Sequence, residues 1–505
     1  MRSPTEAVTK AQKPRVRAVW VILSIALATL LLAWPSFVNR GPFFIADTTG
    51  YLRSADAAFS SILTYDSIWS DKRDLYIEDG QPSPQPQDQS SGPADAPAHP
   101  PLIGRSIYYG AAIYGPVLLL GEHAGVLIQA ALSATVIWIA LSPIGLTRER
   151  SRITAYFGAV GLLAVASSLP FSATLLVPDY LTGLACAAFV LLLCFWPTLT
   201  RRERGILTAV IALAALSHSS NLPLLLGLSL ISLIARVRVP LSAKAAFIGL
   251  ACVALGFAGD ALFVSAVERK TGMTPIRPPF LTARLIADGP GHKLLRSRCS
   301  EERFEVCRYA SRTPHDSDLF LWSTDATGVF SVGDFASQQR LSEQDMRFAV
   351  ATFREYPLLT TASSGEAFIR QLGMLDLRIW RGDAGGKPFY DLADLPTRVA
   401  ERMAKTRSVA GTFPTEPSRL LISAASVAAL LVALCCLVLA WRSDDEKVRM
   451  MGVAIAFVLV AVVANAAITG GLSKPDARYN LRVIWLLPLF VYVFAYQFRL
   501  RRGAS

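Results

Sequence analysis

A chain of 505 residues with 52% hydrophobic and only 17% charged positions is too apolar for a water-soluble fold, in which about a quarter of residues carry charge. A net charge of +12 would suggest nucleic acid in a soluble protein, but here the basic residues fall in short clusters between apolar runs, as membrane topology requires. Composition therefore excludes a soluble enzyme and a nucleic-acid binder and leaves a polytopic membrane protein.

The N-terminus, MRSPTEAVTKAQKPRVR, is basic and leads into an apolar run at 18–37. That run is long enough to cross a bilayer at about 1.5 Å per residue. It exceeds a signal-peptide core and lacks a small-residue cleavage site, so a signal anchor is expected. Further apolar runs follow at 123–142, 153–170, 181–197, 206–218, 221–235, 245–266, 419–441, 450–470 and 483–498. The expectation is an all-α fold with about ten transmembrane helices. The pair meeting around His218 and Asn221 reads as a tight hairpin. Arg148, Arg150 and Arg152, then Arg201, Arg202 and Arg204, then Arg236, Arg238 and Lys244 share one side at this count. Arg442, Lys447 and Arg449, the closing arginines at 499–502 and the N-terminal cluster share it too. The positive-inside rule makes that side cytoplasmic, with both termini there.

The opposite side then receives two large segments, which divide the chain into three parts. An N-terminal transmembrane module (1–266) carries a large first outer loop (38–122); an outer, mostly α domain (267–417) and a C-terminal transmembrane module (418–505) follow. The first loop opens with GPFFIADTTGYLR at 41–53. Asp47 is expected at or just outside the membrane face. There a low dielectric raises a carboxylate pKa and suits it to accept a proton. The same residue also reads as the cap of a short helix through Tyr51 and Leu52. An insert at 81–100, rich in Pro, Gln, Ser and Asp, reads either as a disordered segment or as a surface flap. The stretch 105–121 is apolar but interrupted by Gly and Pro, and an interfacial or re-entrant helix is expected.

In the outer domain, Ser342-Glu343-Gln344-Asp345 reads as a helix start before an amphipathic run ending near Pro357, and Gly373 as the stop of the next helix. Cys299 and Cys307 lie where oxidation is permitted; a local disulfide and two separate thiols both remain open.

Several residues fall outside what topology explains. The short outer loop at 170–180 (PFSATLLVPDY) has no cation and one carboxylate, Asp179, after Pro178. The loop at 471–482 (GLSKPDARYNLR) instead carries Lys474, Arg478 and Arg482 on a side where short loops are poor in cations. Either the span count is wrong or these cations bind an anion such as a lipid phosphate, Arg through a fork and Lys as a point charge. His218, with Ser217, Ser219, Ser220 and Asn221, reads either as a polar turn or as a ring of hydrogen-bonding groups for a ligand. Asp260, inside its span, calls for a basic partner. His99, His292 and His315 are scattered, and no metal site is indicated. Trp34, Trp196, Trp441 and Trp485 lie near span ends as interfacial anchors.

Asp47 with Tyr51, then Arg105 to Tyr109, then Pro178-Asp179, then Arg478-Tyr479 with Arg482 follow an order that resembles the GT-C superfamily of polytopic glycosyltransferases. That superfamily includes protein O-mannosyltransferases and the aminoarabinose and galacturonic acid transferases that modify lipid A. The common Asp-Glu pair of the first loop is Asp47-Thr48 here, and the long outer segment before the last three spans matches no characterised domain. The resemblance implies a GT-C-like fold in a bacterial inner membrane. It implies an inverting transferase that takes a sugar from a polyprenyl-phosphate donor to a periplasmic glycan, lipid or protein acceptor, among membrane lipids and without a cofactor. On that resemblance Asp47 is the catalytic base, and Arg478, Arg482, Lys474 and Arg105 hold the donor phosphate. Tyr51, Tyr108, Tyr109, Asp179, His218 and Tyr479 contact substrate. Three other functions compete. A transporter or flippase for lipid-linked glycans accounts for Asp260 but predicts inverted repeats. A polymerase or ligase needs two lipid-linked substrates, and a scaffold would use 268–417 to bind a partner.

Overall fold

The computed structural model describes residues 4–63, 65, 69, 77–78, 81–82, 103, 105–146, 148–299, 304–381 and 390–502. Apart from a hairpin of two-residue strands, Ile77–Glu78 and Gln81–Pro82, the regular structure in these residues is helical. Beyond Gln81 and Pro82, the insert at 81–100 lies outside the described residues.

Among the described residues, six helices are long and apolar enough to cross a membrane: Glu122–Ile144, Asp179–Thr198, Ala243–Thr271, Thr415–Trp441, Glu446–Leu472 and Ala477–Arg501. The four other apolar runs are also mainly helical: 18–37 breaks into Pro4–Leu32 and Trp34–Asn39, 153–170 into Glu149–Ala166 and Leu169–Thr174, and the other two form Arg201–Ser217 and Asn221–Ala235. They fall short for simple reasons. Asn221–Ala235 has 15 residues, which at a rise of about 1.5 Å reaches roughly 22 Å of a hydrocarbon core near 30 Å. Arg201–Ser217 spends its first turn on charge: Thr200 and Glu203 form a reciprocal capping box there. Only His218, Ser219 and Ser220 separate these two helices, so the expected hairpin is tight. Ala243–Thr271 and Thr415–Trp441 leave apolar side chains such as Phe247, Leu262, Leu431 and Val438 exposed. Those faces suit lipid contact. Trp485 is no interfacial anchor: it is fully buried, its indole N–H donating to Arg482 O at 2.9 Å.

The stretch 105–121 contains one helix of 14 residues, Ile107–Leu120, with Pro116 inside and Gly121 at φ 82° breaking it from Glu122–Ala140. It touches Ala46–Leu63 backbone to backbone, since a Cβ on Gly110 would stand 2.1 Å from Tyr51 O.

The segment at 267–417, expected on the outer side, is built around two different cores among its described residues. Ile276, Phe304, Phe320, Phe330, Leu341 and Phe348 belong to a core of their own, and Cys299 and Cys307 are disulfide-bonded beside it. Leu377, Trp380, Val399, Met403 and Phe413 instead join the core of the helical bundle. Trp380 Nε1 donates to Phe171 O at 3.1 Å, and Arg402 forks onto buried Glu122. The helix expected to start near Ser342 begins earlier, as Phe335–Glu355, because Asp334 caps it by accepting from Ser337 N–H at 2.7 Å. Asp345 serves another helix: its carboxylate accepts from Thr282 N–H at 2.7 Å and caps Phe280–Ala287. The following helix, Pro357–Gly373, ends at the expected glycine and lies along Glu446–Leu472.

Candidate functional site

The end of the bundle that carries this outer unit holds a cavity of about 770 Å³. Its walls come from Ala46–Leu63, the start of Ile107–Leu120, the turn at 218–220, Ala243–Thr271, the outer unit and the stretch 468–479.

The first wall is set by short-range chemistry. Thr48 Oγ1 accepts from Ile45 N–H at 3.1 Å, which starts the helix and leaves Asp47 in its first turn. Phe43 bridges to Leu175, donating to Thr174 O at 3.0 Å and accepting from Leu176 N–H at 3.1 Å, so this loop is stitched to the bundle. Asp47 does not spend its oxygens on the helix end. One accepts from Arg105 Nη2, the other from Arg478 Nη1 at 3.2 Å. Arg105 is fixed just ahead of Ile107–Leu120, where Ser106 caps the helix and donates to Leu216 O at 2.6 Å. Arg478 lies in Ala477–Ile484, a helix capped by Asp476.

This arrangement corrects the expected upward shift at Asp47. Burial alone would raise its pKa, but the Arg105 and Arg478 guanidiniums outweigh that and hold the carboxyl below its ordinary value. Tyr51, edge-on to Tyr109 at 5.2 Å, is a buried phenol whose pKa burial raises, so it stays protonated. His218 Nδ1 accepts from Ser220 N–H at 3.2 Å, which puts the proton of a neutral ring on Nε2. Burial pushes the His218 pKa down to about 4, so the ring is neutral near pH 7.

Of the residues singled out by sequence, Asp47, Tyr51, Arg105, Tyr108, His218, Lys474, Arg478 and Tyr479 line this cavity; Tyr109, Asp179 and Arg482 lie behind its wall. Tyr108 anchors the wall through its hydroxyl, which donates to Gly259 O at 2.7 Å. Tyr109 is buried, its hydroxyl donating to Gln129 Oε1 at 2.7 Å. Arg482 is 1% exposed, and each of its three side-chain nitrogens donates a hydrogen bond. It donates to Asp179 Oδ1 at 2.8 Å, to Asn465 Oδ1 at 2.8 and 3.1 Å, and to Ser220 Oγ at 3.0 Å. Tyr479 stands between the two arginines, 4.8 Å from the Arg478 guanidinium carbon and 4.9 Å from that of Arg482. Lys474 reaches the rim but pairs with Asp316 at 2.9 Å and Asp318 at 2.8 Å.

Two wall residues escaped the sequence reading. Arg277 supplies the partner that Asp260 called for, its Nη2 donating to both carboxylate oxygens at 2.8 and 2.9 Å. Arg284, nearly buried, pairs with Asp288 at 2.9 Å and donates to Gly470 O at 3.3 Å. No local pattern marks it. The rest of the wall is mixed: Leu222, Pro223, Phe257, Phe263, Ile468 and Leu472 line it together with serines and the carboxylates Asp318, Glu343, Asp345 and Asp476. Among the described residues no group of three or more His, Cys, Asp or Glu side chains could hold a metal. No protein-family model, curated protein or solved structure matches this chain.

Proposed function

We propose that this chain is an inverting GT-C-type glycosyltransferase with about ten spans, moving a sugar from a polyprenyl-phosphate donor to a glycan, lipid or protein acceptor at the periplasmic face of a bacterial inner membrane. One observation carries the reading. A carboxylate, Asp47, is held between two guanidiniums, Arg105 and Arg478, in a cavity whose wall also carries apolar side chains, in part from a membrane-length helix. A lipid phosphate needs both halves of such a site: fixed cations for the head and an apolar wall for the chain.

In the reaction, the acceptor hydroxyl oxygen attacks the anomeric carbon from the face opposite the phosphate. The bond between that carbon and the phosphate oxygen breaks, and its electron pair leaves with the phosphate. The hydroxyl proton passes to Asp47. Arg105 and Arg478 stabilise the negative charge growing on the leaving group. The Nε2–H of His218 and the hydroxyl of Tyr51 would meet sugar hydroxyls; both residues line the same cavity, whose wall Tyr108 braces through Gly259 O. Asp179 and Arg482 support the site from behind.

The test is sugar transfer by the purified protein in nanodiscs, with a polyprenyl-phosphate-linked sugar as donor. Asp47→Asn is expected to lower turnover by roughly 10²–10⁴-fold, the usual worth of general-base help, while the variant still binds donor. Unchanged turnover would sink the proposal. Movement of the intact lipid-linked sugar across the bilayer would assign the cavity to transport instead.

A further inference from the structure

The reading of Asp47 as proton acceptor and of Arg105 and Arg478 as phosphate ligands has a consequence for charge. We infer that Asp47 and a phosphoryl group share one pair of guanidiniums, so that a dianion at this site binds together with a proton taken up by Asp47, whereas a monoanion binds without one.

The geometry supplies the argument. Each oxygen of Asp47 is held by a different guanidinium. Arg478 also donates from Nη2 to Tyr479 OH at 2.9 Å, while its buried Nε has no hydrogen-bond partner among the described residues. A donor aimed at nothing in a buried site is costly unless a ligand accepts from it. The neighbouring cations are committed to carboxylates of their own. Arg482 is spent on Asp179 and Asn465, Lys474 on Asp316 and Asp318, Arg277 on Asp260 and Arg284 on Asp288. The groups that act on Asp47 are therefore Arg105, Arg478 and, farther off, Asp179; Tyr51 and His218 stay uncharged beside it.

Two positive charges balance two negative ones. A donor phosphodiester carries one, and ionised Asp47 carries the other. After transfer the phosphate is a monoester with two negative charges, and Asp47 has gained the acceptor's proton and carries none. The sum is the same on both sides of the reaction. In the free protein the two arginines keep Asp47 ionised; when a dianion draws them away, the same burial that they had outweighed favours the protonated carboxyl. The base is thus released by the leaving group as it forms.

Sulfate and methyl sulfate test this directly, because neither takes up a proton of its own between pH 5 and 8 and they differ by one charge. Affinities are measured across that range on the full chain in nanodiscs. For the intact protein, sulfate Kd is expected to rise by about tenfold per pH unit over at least one unit, as one coupled proton requires, and methyl sulfate Kd to stay flat. Asp47→Asn and Asp47→Ala should bind sulfate with no such slope, and His218→Gln should keep it. A flat sulfate profile in the intact protein overturns the inference while leaving the arginines as anion ligands. A slope that survives in both Asp47 variants overturns it too, by assigning the proton elsewhere. If neither anion binds and inorganic phosphate does not either, the phosphate site itself fails, and the inference with it.

Discussion

Two carboxylate–arginine pairs sit one helical turn apart on Ala477–Ile484, and they differ in what surrounds them. Arg482 meets Asp179, Asn465 and Ser220 with 1% of its side chain exposed, so its donors are consumed by the fold. Arg478 meets Asp47 on a cavity wall, keeps one buried nitrogen without a partner among the described residues and shares its carboxylate with Arg105. The residue types are the same in both. Saturation separates them: a fully satisfied buried pair holds helices in register, and a half-satisfied one is left with capacity for a ligand.

The sharpest way to break this comparison is to disarm each pair in turn. Asp47→Asn should cost about 10²–10⁴-fold in transfer and leave thermal unfolding of the purified protein nearly unchanged. Arg482→Met should do the reverse. It strands Asp179 in the interior, and removing one partner of a buried pair costs about 3–5 kcal/mol, visible as a lowered unfolding temperature and poor recovery from membranes. A stable Arg482→Met variant that loses only donor affinity would place Arg482 in the site and erase the distinction.

Arg478→Lys tests whether the fork matters beyond the charge. Hydrogen bonds to charged groups are worth about 1.5–3 kcal/mol, so kcat/KM for donor should fall by roughly 10–100-fold. A wild-type value would mean that any cation suffices. Gly110→Val probes the scaffold instead. Its new side chain would press on the Tyr51 carbonyl, 2.1 Å from where Cβ must lie, at an overpacking cost of about 1–3 kcal/mol. Gly115→Ala on the same helix meets nothing within 4 Å and should be neutral or slightly stabilising. Equal losses from the two would show that close approach of these helices does not set the site. Lys474→Met should have the smallest effect. Its half-exposed pairs with Asp316 and Asp318 are worth up to about 1 kcal/mol, and a large loss of donor affinity would return Lys474 to the phosphate.

Much of this was readable in advance, and the parts that were not have identifiable causes. Asp47, His218 and Arg478 stood out because each breaks a local rule: a carboxylate after an apolar run, a polar turn between spans, a cation where short loops avoid them; Arg105 entered only through the resemblance. Their convergence on one cavity follows from the alternation of spans. Arg478 and Arg482 look equivalent in the string, four residues apart, because nothing local records that Asn465 and Asp179 wait on one side of Tyr479. The pKa of Asp47 was misjudged for the same reason. Burial could be inferred from its position, but the compensating guanidiniums come from residues 58 and 431 positions away. The helix start near Ser342 failed differently: Asp334 offered an earlier cap, and Asp345 was recruited by another helix.

The order of apolar runs and basic clusters determined by itself that this is a multi-pass helical membrane protein, because desolvated backbone leaves helices as its available form and each apolar run is a local property of the chain. Which arginine is buried, which carboxylate stays ionised and where the cavity opens were decided only in three dimensions. Those outcomes depend on how many partners reach each charged group, and the partners lie tens to hundreds of residues away.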